Sequence, residues 1–376
     1  MLVVDAHLDL AWNALQWNRD LTCSAYTIRT REERIRGPGR GQGTVALAEM
    51  RQGKVALCLA TLLARSTGSP IPHVDYPSPL QALSAARGQL AYYRGLEQEG
   101  YARIITDVRG LERHLFEWEV GEKAEKTDAR GTPPLGFVIS MESADPILDP
   151  DDLPAWWEDG VRVIGPAHYG RGRYAGGTGT EMGLTGLGVR LLAEMERLGI
   201  ILDLTHFSDQ AFWEALEKYE GLVLASHNNC RALVPHQRQF SDEQLEAIFQ
   251  REGVIGVAFD AWMLEPGWIK GVRHPPLGEE GCIQPQVSLD SVVNHIDHIC
   301  QLAGNSDHAA IGSDLDGGFG REQAPRDLDT IADLQKLPSL LTDRGYSNSD
   351  VAAIMHGNWL RLLRRSWGSS SGFRSE

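Results

Sequence analysis

The chain has 376 residues, of which 42% are hydrophobic and 23% are charged, a composition typical of a folded globular protein. Its formal net charge is −15, which argues against nucleic-acid binding because no basic stripe offsets it. No stretch approaches the roughly 20 apolar residues that a membrane-spanning helix needs. The chain starts directly on an apolar run, without a basic-then-apolar leader. We therefore expect a cytoplasmic protein.

The cysteines also limit the kinds of site to expect. There are five, an odd number, and they are widely spaced without a Cys-x-x-Cys pair: Cys23, Cys58, Cys230, Cys282 and Cys300. This pattern predicts neither a disulfide framework nor a thiolate zinc site.

Short apolar runs alternate with longer amphipathic stretches along the chain. We predict eight strands, at 2–9, 55–62, 135–141, 161–164, 200–205, 222–226, 254–259 and 309–313. Eight strands separated by helices are the pattern of a parallel sheet built from β-α-β units, and eight is the number that closes a (β/α)8 barrel of the TIM type. We predict one domain over 1–366 and a flexible tail over 367–376. The Arg- and Gly-rich segment 29–43 is predicted to be a surface loop.

The first strand runs into two residue types that bind metals. Successive side chains of a strand alternate between faces, so His7 and Asp9 point the same way. An imidazole nitrogen beside a carboxylate oxygen suits a divalent metal such as zinc. A single His-x-Asp is common by chance, so the rest of the chain must decide.

Similar side chains follow other predicted strands. In a (β/α)8 barrel the active site gathers at the carboxyl ends of the strands, which is where His7, Glu142, His206, His227 and Asp314 fall. Histidines and carboxylates together can hold two divalent ions about 3.5–4 Å apart, and the ions can activate a shared water. We assign His7 and Asp9 to one metal and His206 and His227 to the other. Glu142 is predicted to bridge them.

Each of these residues also has a structural interpretation. His206 could cap the next helix beside Ser208, and His227 could bond to a loop carbonyl. Glu142 could pair with an arginine of the segment 170–174. Asp314 directly follows its strand and is assigned as a proton shuttle. Asp316, two residues later, is predicted to turn the Gly-rich loop or to support the site from behind.

The motifs together resemble those of a known family. The chain is similar, over essentially its whole length and in the same order, to the membrane (renal) dipeptidases, which are binuclear zinc peptidases of the amidohydrolase superfamily. The pieces that carry the resemblance are His7-Leu8-Asp9-Leu10, Glu142, His168, Leu202-Asp203-Leu204-Thr205-His206, Ser226-His227-Asn228-Asn229-Cys230-Arg231 and Gly312-Ser313-Asp314-Leu315-Asp316-Gly317.

The resemblance implies roles that the residues alone would not have suggested. It implies two zinc ions bridged by Glu142. It also implies that His168 polarises the scissile carbonyl and that Arg238 binds the substrate's terminal carboxylate. Without the resemblance, His168 would be a loop histidine near Tyr169 and Arg238 a solvated charge beside Arg231.

The chain departs from the family at two places. The family glutamate is usually followed by two glycines, whereas Ser143 and Ala144 follow Glu142 here. After the seventh strand this chain has Asp260-Ala261-Trp262, and an extra acid there could select a basic substrate. The departures put substrate identity in doubt and leave the metal ligands intact.

The expected function is hydrolysis of a dipeptide, with L-Xaa-D-Xaa among the candidates, by a hydroxide that bridges two metal ions. His168 would stabilise the oxyanion and Asp314 would carry the proton. One alternative keeps the site but changes the substrate to a lactone, cyclic amide or N-acyl amino acid. Another is a barrel that binds metal or ligand without turnover. The partner is a small peptide substrate, and the segment 262–276 could line a pocket rim or a homodimer interface.

Overall fold

The strands of the molecule belong to one parallel sheet. The structure, a computed structural model, describes residues 1–68, 71–123, 133–270 and 285–368. The sheet order is β2-β1-β9-β8-β7-β6-β5-β4-β3, and β2 also pairs with β4. The strands are β1 (Val3–Leu8), β2 (Val55–Leu63), β3 (Ala102–Ile104), β4 (Leu135–Glu142), β5 (Val161–Gly165), β6 (Ile201–Asp203), β7 (Val223–Ala225), β8 (Val254–Val257) and β9 (Ala309–Ile311). This confirms the predicted (β/α)8 barrel.

Helices separate most of the strands. They are α1 (Leu10–Leu15), α2 (Ala25–Glu32), α3 (Leu47–Gln52), α4 (Pro79–Gln98), α5 (Val108–Lys123), α6 (Leu153–Glu158), α7 (Gly186–Leu198), α8 (Asp209–Lys218), α9 (Asp242–Gln250), α10 (Ala261–Leu264), α11 (Leu289–Ala303), α12 (Leu337–Asp343), α13 (Asn348–Ala352) and α14 (Asn358–Gly368). None of the helices in the described ranges is long and apolar enough to cross a membrane.

Strand β3 was not predicted. It has only three residues, too few for a hydrophobic period to be visible. It pairs with the start of β4, where Ala102 opposes Leu135 and Ile104 opposes Phe137. Because β2 pairs with β4 from Gly136 to Glu142, β3 and β5 share the opposite edge of β4. The barrel closes through β2 and β4 without β3.

The chain divides into two compact units. The first contains Met1–Val55 and Val223–Trp359, and the second contains Ala56–Leu222 and Leu360–Glu376. The single domain over 1–366 stays a prediction. Helix α14 continues to Gly368, so the first two residues of the predicted tail are helical. The rest of the tail, 369–376, lies outside the described residues.

The first unit holds β1, β7, β8 and β9. All six residues of β1 are buried, and Asp5 of β1 is in register with Ile311 of β9. On β9 the carbonyl of Ile311 also accepts a hydrogen bond from the indole Nε1 of Trp359. Buried strands with apolar residues at successive positions are typical of a parallel sheet covered on both faces.

The segment 29–43 in this unit differs from the predicted surface loop. Its first residues belong to α2, and Glu32 is buried. The guanidinium of Arg19 binds Glu32 through two bonds, Nε to Oε1 at 2.9 Å and Nη2 to Oε2 at 3.0 Å. The surface-loop prediction is wrong for this part because a buried arginine fixes it.

The second unit holds β2, apart from its first residue Val55, and β3 to β6. Every residue of the nine-residue β2 and of the eight-residue β4 is buried. At the carboxyl end of β2, the side chain of Gln89 in α4 bonds both the N–H and the carbonyl of Leu63, each at 2.7 Å. The buried backbone at this strand end is thereby satisfied, as buried polar groups require.

Candidate metal centre and substrate site

In the first unit, three predicted site residues come together. His7 Nε2 lies 3.7 Å from Asp9 Oδ2 and 3.8 Å from Asp314 Oδ1. His7 lies in β1, and Asp9 directly follows that strand. Each of the three residues offers a ligand atom within 4.8 Å of the others. The arrangement suits one divalent cation on His7 and Asp9, with the carboxylate of Asp314 beside it.

The carboxylate of Asp9 tests whether a cation fits here. Asp9 is 3% exposed, and its Oδ1 has no hydrogen-bond partner among the described residues. A buried acceptor without a partner is costly, so nearly all such atoms in proteins are satisfied. Because the nearby imidazole and carboxylate are both metal-ligand types, a bound cation would satisfy the oxygen.

His227, two residues after β7, lies in the same unit. Its ring centroid is 3.8 Å from that of His7. Its Nδ1 lies 2.9 Å from the hydroxyl of Ser226. A hydrogen bond at one ring nitrogen orients a metal-binding histidine through its other nitrogen. The structure thus places a side-chain hydroxyl against Nδ1 of His227.

In the second unit, Glu142 lies beside two histidines. Its Oε1 is 3.2 Å from His206 Nε2 and 3.6 Å from His168 Nε2. The ring centroids of His168 and His206 are 4.3 Å apart, and His206 Nδ1 lies 3.1 Å from the hydroxyl of Thr178. Arg173, from the segment suggested as a partner for Glu142, instead donates to the carbonyls of residues 147 and 148. This second group also has ligand atoms within 4.8 Å of one another.

Three residues that follow barrel strands have a left-handed backbone. The φ angles are 68° at Ser143, 69° at His206 and 57° at Asp314. Such angles disfavour residues with a Cβ and cluster at functional sites. At Ser143 the angle explains why a glycine suits this position in the family, because glycine adopts it without steric cost. The departure at Ser143 therefore places strain directly beside Glu142.

Arg238 is buried, with 2% exposure, so the alternative of a solvated charge is wrong. Its Nη1 donates to Asn228 Oδ1 at 2.5 Å, and its Nη2 donates to the carbonyl of His227 at 2.9 Å. A guanidinium has five N–H donors. Within the described ranges, three of the five have no bonded acceptor, which leaves them available for a ligand carboxylate.

The extra acid Asp260 is held by the protein itself. Its Oδ2 accepts from Trp262 Nε1 at 2.6 Å and its Oδ1 from Gln323 Nε2 at 2.8 Å. Burial raises the pKa of Asp260 to about 6, against the opposing effects of Lys270 and these hydrogen bonds. The Nζ of Lys270 lies 4.0 Å from the centre of the Trp262 ring. Both oxygens of this carboxylate are thus engaged before a substrate arrives.

Asp5 was not identified from the sequence. It holds the backbone on which His7 and Asp314 lie, without being one of the assigned ligands. Its buried carboxylate accepts from the N–H of Ser313 at 2.8 Å, from the Ser313 hydroxyl at 2.5 Å and from the N–H of His7 at 3.2 Å. The residue therefore joins the backbone of His7 to the residue that precedes Asp314. The alternation of strand side chains could have identified it, since Asp5 and His7 lie on one face of β1.

Asp316 anchors the loop that carries Asp314. Its carboxylate accepts from the N–H and hydroxyl of Thr44 at 2.7 and 2.8 Å, and from Arg19 Nη1 at 3.1 Å. The side-chain amide of Asn13 donates both to the Asp316 carbonyl and to the Asp9 carbonyl, each at 3.0 Å. The backbones of Asp9 and of the Asp314 loop therefore share one donor.

Histidines and carboxylates at the carboxyl ends of barrel strands can hold divalent ions that activate water, which is the chemistry of metal-dependent hydrolases. The family follows from a profile comparison, in which "Membrane dipeptidase (Peptidase family M19)" matches residues 1–370. The chain belongs to this family and is a metal-dependent dipeptidase. The resemblance inferred from the motifs is confirmed.

Two curated relatives match more than half of the chain. A Klebsiella pneumoniae protein described as "Uncharacterized protein in pqqA 5'region" is 32% identical over 57% of this chain and 76% of its own length. The dipeptidase tcpJ of Claviceps purpurea is 31% identical over 54% of this chain. The match spans 44% of that relative, less than half of its length.

Solved structures share the fold over nearly the whole chain. A metallopeptidase described as dipeptidase AC has a TM-score of 0.74 at 24% identity, covering 98% of this chain and 99% of its own. A Rhodobacter sphaeroides metallopeptidase, solved with a phosphinate mimic of L-Ala-D-Ala, has a TM-score of 0.74 at 23% identity and the same coverage.

Proposed function

We propose that this dipeptidase uses two divalent ions, with zinc as the expected metal, held by the residues identified from the sequence. His7 and Asp9 would hold one ion, His206 and His227 the other, and Glu142 would be shared. The observation that carries the proposal is the buried Asp9 Oδ1, which has no hydrogen-bond partner in the described part of the chain, while the other oxygen of the same carboxylate, Oδ2, lies 3.7 Å from His7 Nε2. The second ion is supported by the closeness of the Glu142 carboxylate to the rings of His168 and His206, and of those two rings to each other.

Bound divalent ions would supply a water of lowered pKa and would polarise the peptide carbonyl. The side chains of the protein do the remaining work. His168 donates a hydrogen bond to the carbonyl oxygen as negative charge develops there. Asp314, with its side chain 15% exposed beside the buried His7, accepts a proton and returns it to the leaving amine.

Arg238 would select substrates with a free terminal carboxylate. Its two protein bonds fix the guanidinium plane, and a fixed plane favours two parallel bonds to a carboxylate. The mimic bound to the Rhodobacter sphaeroides structure represents an L,D dipeptide, so we include L-Xaa-D-Xaa dipeptides among the proposed substrates. A lactone or cyclic amide lacks the carboxylate that Arg238 would bind.

Metal analysis followed by a substrate panel tests the proposal. Purified protein should contain two divalent ions per chain and should hydrolyse members of a panel of L,L and L,D dipeptides. A chelator should abolish hydrolysis, and added zinc should restore it. The protein could instead bind two ions, hydrolyse no dipeptide and turn over lactones or N-acyl amino acids. That result would contradict the dipeptide proposal and identify those compounds as the substrates.

A further inference from the structure

Arg65 contacts the ring of His168 on the side away from Glu142. It lies just after β2 and is 5% exposed. Its Nη1 is 2.8 Å from His168 Nδ1 and 3.5 Å from the carbonyl of Tyr169. The other ring nitrogen, Nε2, is 3.6 Å from Glu142 Oε1. The two ring nitrogens therefore face groups of opposite charge: Nδ1 faces the guanidinium of Arg65, and Nε2 faces the carboxylate of Glu142.

The chemistry of arginine decides the direction of this hydrogen bond. A guanidinium nitrogen is always a donor and never an acceptor, and it does not deprotonate in proteins. His168 Nδ1 must therefore be the acceptor and carry no hydrogen. A proton on Nδ1 would place two N–H groups against each other at 2.8 Å. The neutral ring then has its proton on Nε2, on the side of Glu142.

The position of Arg65 is itself fixed. Its Nε lies 3.2 Å from Asp75 Oδ2, and Asp75 Oδ1 accepts from the N–H of Thr67 at 2.9 Å. The backbone of Arg65 also donates to the carbonyl of Val74 and accepts from the N–H of Tyr76, at 3.2 and 2.7 Å. An arginine held by a buried carboxylate and by its own backbone gives the bond to His168 a single geometry.

We propose that Arg65 is a positioning residue that fixes His168 as the Nε2–H tautomer, so that this hydrogen points to the oxygen of the scissile carbonyl. The second half of this statement rests on the proposed function. Oxyanion stabilisation requires a donor at the place where charge develops. The opposite tautomer would present a lone pair to that oxygen and repel it. Arg65 therefore acts through His168 and need not contact the substrate.

Nitrogen NMR of protein labelled at histidine tests the tautomer directly, with the His168 signals assigned by their loss in His168→Asn. In the wild-type protein, Nε2 should be the protonated nitrogen and Nδ1 the unprotonated one. Arg65→Met should give a mixture of tautomers, and Arg65→Lys should keep the wild-type pattern because an ammonium is also only a donor. A proton on Nδ1 in the wild type, or an unchanged pattern in Arg65→Met, would overturn the inference.

Kinetics provide the second readout. The loss of kcat in Arg65→Met should follow the fraction of His168 that NMR shows in the Nδ1–H form, up to about 10²–10³-fold, the size of losing the oxyanion donor completely, with little change in KM. Arg65→Lys should recover most of the loss. Arg173→Met is the matched control, because that guanidinium binds backbone carbonyls of the same unit, and its kcat should be unchanged. An unchanged kcat in Arg65→Met would refute the positioning role. If the wild type hydrolyses no dipeptide, the proposed function fails, while the NMR result still decides the tautomer.

Discussion

Replacing Arg238 by methionine should abolish the preference for substrates with a free terminal carboxylate. In the structure two of its five N–H groups bind Asn228 and the carbonyl of His227, so the remaining donors can form two parallel bonds to a carboxylate. At about 1.5 kcal/mol for each hydrogen bond to a charged group, the pair contributes about 3 kcal/mol. Since 1.4 kcal/mol is a factor of ten, KM should rise at least about 100-fold, with kcat little changed.

The assay compares each dipeptide with its C-terminal amide. The wild type should prefer the free acid by about 100-fold in kcat/KM, the same free energy expressed as a factor. Arg238→Met should treat acid and amide alike. The ratio separates loss of carboxylate binding from damage to the His227 loop, because damage would affect both substrates equally. Arg231→Met is the matched control on the same loop, since its Nε donates to the backbone of Gln239. A wild-type ratio of acid to amide kcat/KM in Arg238→Met would refute the role of Arg238 in binding the terminal carboxylate.

Three further predictions concern stability and can be measured by urea unfolding. Asp316→Ala should lower the free energy of unfolding by about 3–5 kcal/mol, since it leaves a buried arginine without one partner. Asp329→Ala, at an ion pair whose carboxylate is 40% exposed, should change it by less than about 1 kcal/mol, and equal effects would contradict the argument. The pKa of Asp260 is raised to about 6 in the folded protein, against 3.8 when unfolded. The folded state therefore favours the protonated carboxyl, and this group's contribution to the free energy of unfolding, present below pH 3.8, is lost as pH rises through 6. Relative to Asp260→Asn, the wild type should lose about 3 kcal/mol over that range, and parallel pH profiles would exclude this. Ser143→Gly should change the free energy of unfolding by less than about 1 kcal/mol. Ser143→Val should lower it by more, because a β-branched residue is disfavoured at a φ of 68°. Equal losses in the two variants would show that the backbone relaxes at this position.

The barrel could be predicted because its longest strands are continuous apolar runs. Strands β2 and β4, buried at every position, stand out in the sequence without any partner being known. The three-residue strands β6, β7 and β9 were also found, because each lies within a longer apolar run and precedes a polar side chain. Strand β3 has neither feature, so only its pairing with β4 reveals it.

The support behind the site could not be predicted for a different reason. Asn13 and Asp316 are 303 positions apart, and no local pattern connects residues at that distance. The left-handed backbone at His206 and Asp314 also cannot be predicted from the residue type, because neither residue is a glycine. Arg65 has a weaker local signal, because it lies three positions after the end of the predicted strand 55–62. Metal binding singles out histidines and carboxylates after strands, and an arginine in that place gives no such signal.

The most direct test of the account is Asp314→Asn, measured for metal content and dipeptide hydrolysis together. Asparagine keeps the size of the side chain but cannot carry the proton between water and leaving amine. We expect a variant that keeps its two bound divalent ions and loses hydrolysis by at least about 10²-fold, the lower end of what general acid–base catalysis contributes. A variant that retains both its metals and wild-type kcat would contradict the assignment of Asp314.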